Sequence, residues 1–452
     1  MNIVYQSNNG KIIHGDNIEV MKTIEENSID SCISDFPYAI EFMGKNWDSA
    51  KHWNTGKGKH GTFEGTGYSG KKRPAFYLNT NEDKLVFYDW CYERAIELYR
   101  IMKPGGYVCI FGHPKTNHRM KCAFEDVGFQ IVEEIDWIYL NGFPKCQDIG
   151  KLFDKKAGVE RQILGVAGKS GIHEGGYKSD AINNSGGKFG GEYYNTTPAT
   201  EQAKLWDGWK TAGLKPAHEP ITVFQKPLEG TYIQNIEKYG CGGMNIDACR
   251  VGVETIKTNG KRNGTGNSLE WSKYKSPENF IGEIHIGRFP PNVIFDEYTK
   301  DILDEQTGIK TNTRHMSYKR SNKGFIDNIP SQPEKDWFVQ ETGGGSRMFP
   351  IIKYCPKASP KERLLPNGER NPHVTLKPKE LIKWLIKLVT PKDGTTIDIT
   401  AGSCTHAVAV EELNRDEGYN LKYIDIELMN TETEPYCDVG KMRVESIVKN
   451  MS

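Results

Sequence analysis

Short apolar runs alternate with helical spacing at both ends of the chain, and the period fades in the middle. Near the N-terminus, Gly10–His14 and Ile29–Ile33 read as strands, with β-branched residues bounded by polar turns. Between them Gly15-Asp16-Asn17 leads into a helix over Ile18–Glu25. From Asn81 the spacing is helical, placing Leu85, Tyr88, Cys91, Tyr92, Ala95, Ile96 and Tyr99 on one face. Met102–Gly106 is expected to end that helix in a turn before a buried strand, Tyr107–Gly112. A helix over Thr116–Val127 and two strands, Phe129–Val132 and Glu134–Tyr139, follow. Near the C-terminus come a helix, Lys379–Val389, a strand, Gly394–Asp398, a helix, His406–Leu413, and a strand, Tyr423–Glu427. Strands alternating with helices predict an α/β sheet with crossover connections.

The middle, Cys146–Phe349, differs. Gly165–Gly191 is rich in Gly, Ser, Lys and Asn and reads as irregular, as does Gly44–Pro74 nearer the start. One strand, Ile221–Phe224, is expected to bring the chain back towards the core sheet. Beyond Leu228, Arg250, Lys257, Lys261, Arg262, Trp271, Lys273, Tyr274, Arg288, Arg314, Lys319 and Arg320 interleave basic groups with aromatics. Such a run is usually a solvated face. It is also what gripping a duplex requires, because phosphate contacts dominate affinity.

Composition narrows the partners. Lys+Arg and Asp+Glu are equal at 59 each, so any basic surface must come from local clustering. A mean hydropathy of −0.62 and the lack of a long apolar run argue against a spanning helix. The opening residues, Met1–Gln6, do not read as a signal peptide. The 10 cysteines form no CxxC pair, so neither a metal site nor a disulfide framework is indicated and a reducing cytoplasm is expected.

The chemistry is concentrated in Ser34-Asp35-Phe36-Pro37-Tyr38. A strand runs into Asp35, and Pro37 holds its own φ and biases Phe36 towards an extended backbone. A carboxylate, a backbone carbonyl and an aromatic ring are thereby presented at a strand's C-terminal end, where open α/β sheets bind ligands. That set suits a planar ring bearing an exocyclic amine. Ile399–Thr405, following the strand that ends at Asp398, is a small-residue loop before a helix, which lets backbone N–H groups approach a cofactor. Glu427 ends the next strand, where a ribose hydroxyl is commonly held. Asp16 is placed to cap a helix or to meet a nucleoside.

Taken together, these segments resemble the DNA amino-methyltransferases of the permuted β class. There a catalytic Asp-Pro-Pro-Tyr motif precedes a target-recognition region, and an Asp-Pro-Phe-x-Gly-Ser-Gly motif for S-adenosylmethionine comes last. The matching residues are Asp35-Phe36-Pro37-Tyr38, Gly15-Asp16, Asn371–Pro378 (for His-Pro-Thr-x-Lys-Pro) and Asp398–Cys404. Phe42–Asp48, Lys215–Pro220 and Gly287–Asn292 look like the phage and prophage branch of site-specific methylases.

The resemblance implies a Rossmann-like methyltransferase sheet assembled from both chain ends around a large irregular insert. It divides the chain into a catalytic half (1–145), a target-recognition region (146–349) and a cofactor half (350–452). Asp35, Phe36, Pro37 and Tyr38 become the catalytic set. Asp16, Lys377, Asp398, Thr400, Ala401, Gly402, Ser403 and Glu427 become the S-adenosylmethionine residues. Double-stranded DNA is the implied partner and adenine N6 the preferred target. Cytosine N4 methylation, or a catalytically impaired DNA-binding homologue, are the alternatives. A homodimer and a separate restriction enzyme stay open, and the bacterial or phage-infected cytoplasm is the expected compartment. Three positions depart from the motifs. Phe36 replaces the first proline, Ile399-Thr400 replace Pro-Phe, and Cys404 replaces the last glycine. A Cβ at Cys404 is expected to crowd the methionine moiety if φ there is positive, and Thr400 to remove apolar cover.

Overall fold

Ten strands join in one mixed sheet. In the computed structural model, residues 1–40, 46–48, 53, 81–139, 146–169, 192–211, 213–257, 284–313, 340–352 and 362–449 are described. The strands are β1 (Asn2–Gln6), β2 (Gly10–His14), β3 (Ile29–Asp35), β4 (Met102–Phe111) and β5 (Gln130–Ile138) from the first part of the chain. They continue with β6 (His218–Gln225), β7 (Val293–Asp296), β8 (Ile351–Ile352), β9 (Thr395–Asp398) and β10 (Lys422–Glu427). Across the sheet the order is β1-β2-β10-β9-β3-β4-β6-β5-β7-β8.

The run β2-β10-β9-β3-β4 is parallel throughout. The two ends of the chain meet inside it, where β9 lies beside β3 with Thr396 opposite Ser31. From β9 the chain winds outward to β10, and from β3 it winds the other way to β4. The β9/β3 border is therefore the topological switch point, and its C-terminal edge is the expected ligand crevice. On the far side β6 lies antiparallel between β4 and β5.

The helices cover the two faces by origin. On one face pack α1 (Asn17–Met21), α2 (Asn81–Ile101) and α3 (Asn117–Val127), burying Val20, Phe87, Cys91, Leu98 and Phe124. On the other pack α4 (Lys379–Val389), α5 (Thr405–Glu417) and α6 (Tyr436–Lys449), burying Leu381, Leu385, Val410, Leu413 and Val444. Because β3 is covered on both sides, six of its seven residues are buried, the polar Asp30, Ser31 and Ser34 among them.

Several expectations shift. The buried stripe of α2 runs through Phe87, Cys91, Ala95, Leu98 and Ile101, which leaves Leu85 and Ile96 exposed. Met102–Gly106 does not form a separate turn: it opens β4, with a register shift against β3. Phe129–Tyr139 holds one strand where two were expected. The outer strands β1, β7 and β8 and the helix α6 carry no clear period, and their packing against the sheet supplies what their sequence lacks. Of the basic–aromatic run, Arg250 pairs with Asp247 and Arg288 donates to the Arg347 carbonyl. Lys261, Arg262, Trp271, Lys273, Tyr274, Arg314, Lys319 and Arg320 lie outside the described residues.

Candidate active site

At the switch point β3 delivers Asp35 to the sheet's C-terminal edge, and the next residue turns the chain by burying itself. Phe36 is 2% exposed and stands edge-on to Trp90 at 5.2 Å. The following N–H groups converge on one buried acid. Tyr38 N and Ala39 N donate to Asp48 Oδ1 at 2.6 and 2.8 Å, and Ile40 N to Oδ2 at 3.3 Å. Ala39 adopts φ +57°, which this triple acceptance holds in place. The turn is thus clamped from both sides, by an aromatic anchor and by a carboxylate.

The clamp presents a compact charged cluster. Tyr38 Oη lies 3.0 Å from Asp35 Oδ1 and 3.0 Å from Glu219 Oε2, and its single proton can serve one at a time. Lys377 Nζ is 2.5 Å from Asp35 Oδ2, 3.2 Å from Tyr38 Oη and 3.4 Å from Glu219 Oε2. It also sits over the rings of Phe111 and Tyr38, at 5.1 and 5.5 Å. Tyr139 Oη donates to the other Glu219 oxygen at 3.2 Å. Burial pushes the Asp35 carboxyl up from its ordinary range; Lys377 pulls it back and Glu219 adds to the rise. Burial opposes the Lys377 charge, but Asp35 and Glu219 outweigh it, so the ammonium is held protonated. The Tyr38 hydroxyl is pushed well up by burial and the two acids, which keeps it a donor.

The loop after β9 is stitched to this turn. Ser34 Oγ donates to Asp398 Oδ1 at 2.6 Å, and Thr400 N reaches the same oxygen at 3.0 Å. Thr400 Oγ1 donates to the Asp35 carbonyl at 3.0 Å. Further along, Gly402 N donates to Glu427 Oε2 at 2.6 Å and Met429 N to Oε1 at 2.7 Å. Gly402 has φ +52°, and a Cβ there would stand 2.5 Å from His373 Nε2. Ser403 turns inward, its Oγ accepting from Asn371 Nδ2 at 2.9 Å and its carbonyl from Arg443. Burial lifts the Asp398 carboxyl to about 7, with Asp425 adding to the rise. Burial also lifts Glu427 to about 7, against the pull of its backbone donors.

Each expected residue has a definite place. Asp35, Tyr38 and Lys377 form one cluster, and Asp398, Thr400, Ala401, Gly402, Ser403 and Glu427 one loop and its support. Phe36 leaves only its backbone to the site, and Pro37 is half-buried beside it. Lys377, expected among the cofactor residues, has its ammonium on Asp35 instead. Asp16 caps α1, accepting from Ile18 N and Glu19 N. Its neighbour Asn17 donates to the Ile399 carbonyl at 2.9 Å, and Asn17 Oδ1 is a buried acceptor with no hydrogen-bond partner.

The departures also resolve. Cys404 does adopt φ +57°, but its thiol is buried against Gly440 of α6, directed into the core. Thr400 replaces the expected apolar residue with a hydrogen bond to the Asp35 turn. Glu219, Asp48 and Tyr139 have no site role in the sequence reading, and Ser34 enters it only as the lead residue of the Asp35 stretch. Their signals were present: an acid inside the returning strand β6, and an acid closing the Phe42–Asp48 segment.

The family model described as DNA methylase, of the N6/N4 type, matches residues 29–436. The chain belongs to that family. A type II methyltransferase from Haemophilus influenzae, M.HindIII, is 26% identical over 252 residues. The match covers 52% of this chain and 64% of that relative, so it spans less than two thirds of the relative's length. Among solved structures, the cytosine-N4-specific PvuII DNA methyltransferase matches with TM-score 0.40 and 13% identity over 99% of this chain and 93% of that one. The M1.HpyAVI–SAM complex matches with TM-score 0.35 and 12% identity over 96% and 99%. At these scores neither structure bears on the chemistry of this methylase. Among the described residues no helix is long and apolar enough to cross a membrane.

Proposed function

We propose that this methylase transfers a methyl group from S-adenosylmethionine to the exocyclic amine of a base in double-stranded DNA, with adenine N6 as the target. The observation that carries the reading is the junction itself. The Asp35 turn and the Asp398–Cys404 loop share one edge, bonded through Ser34 and through Thr400 to the Asp35 carbonyl.

The residues present fit the cofactor. The positive φ at Gly402 leaves a backbone surface that a side chain would fill. Asn17 Oδ1, tied to the loop through its own amide, is a buried acceptor awaiting a donor such as an amino or hydroxyl group. Asp398 and Glu427 shape the loop from beneath, and Asp16 stands at the neighbouring helix end. When bound, S-adenosylmethionine supplies a methyl group already activated by the positive charge on its sulfur.

The protein's task is then alignment and electrostatics. An exocyclic amine is a poor nucleophile because its lone pair is drawn into the ring. Asp35 Oδ and the Phe36 carbonyl accept its two N–H groups, tilting the nitrogen towards tetrahedral geometry and freeing the pair. As the new C–N bond forms, the C–S bond would break with its electron pair returning to sulfur, leaving the neutral thioether, and one N–H proton is shed, with the Asp35 carboxylate as acceptor. The base must leave the duplex stack to reach this seat, and Tyr38 offers it an aromatic face. Adenine is preferred because an acid-led motif resembles the adenine enzymes more than the serine-led cytosine ones. The reading keeps a bacterial or phage-infected cytoplasm as the proposed compartment.

The test is modification-sensitive sequencing of DNA from a methylation-free host expressing the protein or its Asp35→Ala variant. A methylated motif that vanishes in the variant supports the reading and names the base. Unmodified DNA from cells with soluble wild-type protein removes it.

A further inference from the structure

The Asp35 seat is already occupied. Lys377 holds Oδ2 and Tyr38 faces Oδ1, so a base amine that takes the lysine's position on Asp35 must displace it. Tyr38 is poorly placed to leave, since its own N–H and the two that follow are fixed on Asp48. Lys377 is different. Its side chain is long and unbranched, and a second carboxylate, Glu219 Oε2, stands 3.4 Å from the ammonium.

The ammonium also resembles what must replace it. It is a nitrogen with several N–H donors, hydrogen-bonded to Asp35 and stacked over the rings of Phe111 and Tyr38. Those are the acceptor and the aromatic surface that a flipped amino base would use. The charge balance allows an exchange. Two carboxylates and one ammonium share the pocket, so a shift of the ammonium towards Glu219 frees Asp35 without leaving the lysine buried and unpaired. We propose that Lys377 is a stand-in for the target amine, holding Asp35 until the base arrives, and that Glu219 receives it during the exchange. Glu219 is on this account a positioning residue for base entry. The inference rests on the amino-methylation proposed above and deepens it.

A double-mutant cycle separates this role from that of a static ion pair. Glu219→Gln keeps the shape and removes the charge that would receive Lys377, whereas Lys377→Met removes the occupant. The variants are compared in methyl incorporation into DNA from a methylation-free host. They are also compared by fluorescence of a duplex carrying the mapped site with 2-aminopurine beside the target adenine, which reports unstacking as the target flips, without turnover. In Glu219→Gln the lysine stays on Asp35, so kcat/KM for DNA falls by at least about 100-fold and flipping is lost. In the double variant nothing needs to move, so kcat/KM recovers by at least about tenfold over Glu219→Gln and flipping returns.

A double variant no better than Glu219→Gln overturns the stand-in role, as does a Glu219→Gln protein that flips like wild type. Thermal unfolding and cofactor-induced thermal shift of each variant guard against misfolding, and Lys377→Gln replaces Lys377→Met if the latter does not fold. A wild-type protein that methylates nothing would remove the underlying function. A methylating wild type without rescue removes only the exchange.

Discussion

Two aspartates end neighbouring parallel strands at the same sheet edge, and the protein treats them in opposite ways. Asp35 ends β3 and meets other side chains: an ammonium and a phenol, each on a rotatable stem. Asp398 ends β9, where the Thr400 N–H of its own loop and the Ser34 hydroxyl of β3 bind one oxygen, and only 8% of the residue is exposed. In the exchange proposed above, the first acid's partners give way to a substrate. The second is consumed in holding a backbone shape. Both acids stand at strand tips, and the identity of their partners is what assigns, in the proposed function, the chemistry to Asp35 and the shaping of the loop to Asp398. Glu427, with its two oxygens on the Gly402 and Met429 N–H groups, belongs with Asp398 in the second class.

The sharpest break of this comparison pairs one substitution on each side. Asp35→Ala is expected to lower methyl transfer by at least about a thousandfold, since it removes the acceptor that aligns the amine. Cofactor affinity, measured by calorimetry, should stay within about threefold of wild type. Gly402→Asp should abolish cofactor binding itself, because it adds a side chain against His373 at φ +52°. Equal loss of cofactor in both variants would sink the division of labour.

Next in size is the anchor of the catalytic turn. Phe36→Ala should cost about 3–5 kcal/mol in urea unfolding, the usual price of a cavity at a fully buried aromatic. A loss below about 1 kcal/mol would mean that the ring is not what pins the turn.

The two acid classes should also separate by pH. Asp35 works as a carboxylate and its value is raised, so the acidic fall in transfer rate should lie above the ordinary aspartate value of about 3.9. Asp398 and Glu427, each at about 7, act on stability instead. Both bind protons more tightly folded than unfolded. Their contribution is therefore complete below the unfolded carboxyl range and is lost as pH rises through 7. The cofactor-free protein should melt at a higher temperature at pH 6 than at pH 8. Asp398→Asn and Glu427→Gln should each flatten that difference, and unchanged slopes would argue against buried, proton-binding acids under the loop.

How much of this was legible follows the same physical divide. The strands β2, β3, β9 and β10 are legible from short β-branched runs bounded by polar turns, and the helix α4 from an apolar stripe at helical spacing. The outer strands β1, β7 and β8 are short and lie towards the sheet's edges, where pairing rather than pattern decides. The turn at Asp35 is legible because proline and a run-in strand fix its geometry locally. Its pairing with Glu219 and Lys377 is not: Lys377 enters the sequence reading only as a cofactor residue, both lie far from Asp35 in sequence, and only the sheet order brings them together. Asp48 was hidden for the opposite reason. It lies close in sequence, but its acceptance of three successive N–H groups depends on the positive φ at Ala39, which no residue type announces.

The smallest expected effect tests whether the unusual loop residue is accommodated rather than strained. Cys404 sits in the left-handed region at a cost of about 1–2 kcal/mol relative to glycine. It regains part of that by burying its thiol against Gly440, where a Cβ would collide with the sulfur. Cys404→Gly should consequently change stability by no more than about 1 kcal/mol, as relief of strain offsets lost packing and a freer unfolded chain. Gly440→Ala tells the two explanations apart. In the native background the added methyl should cost about 1–3 kcal/mol by overpacking. In the Cys404→Gly background it should turn neutral or favourable, since alanine is the better helix former and the sulfur is gone. A coupling energy near zero in that cycle would mean that α6 does not make room for Cys404, and that the loop carries its strain uncompensated.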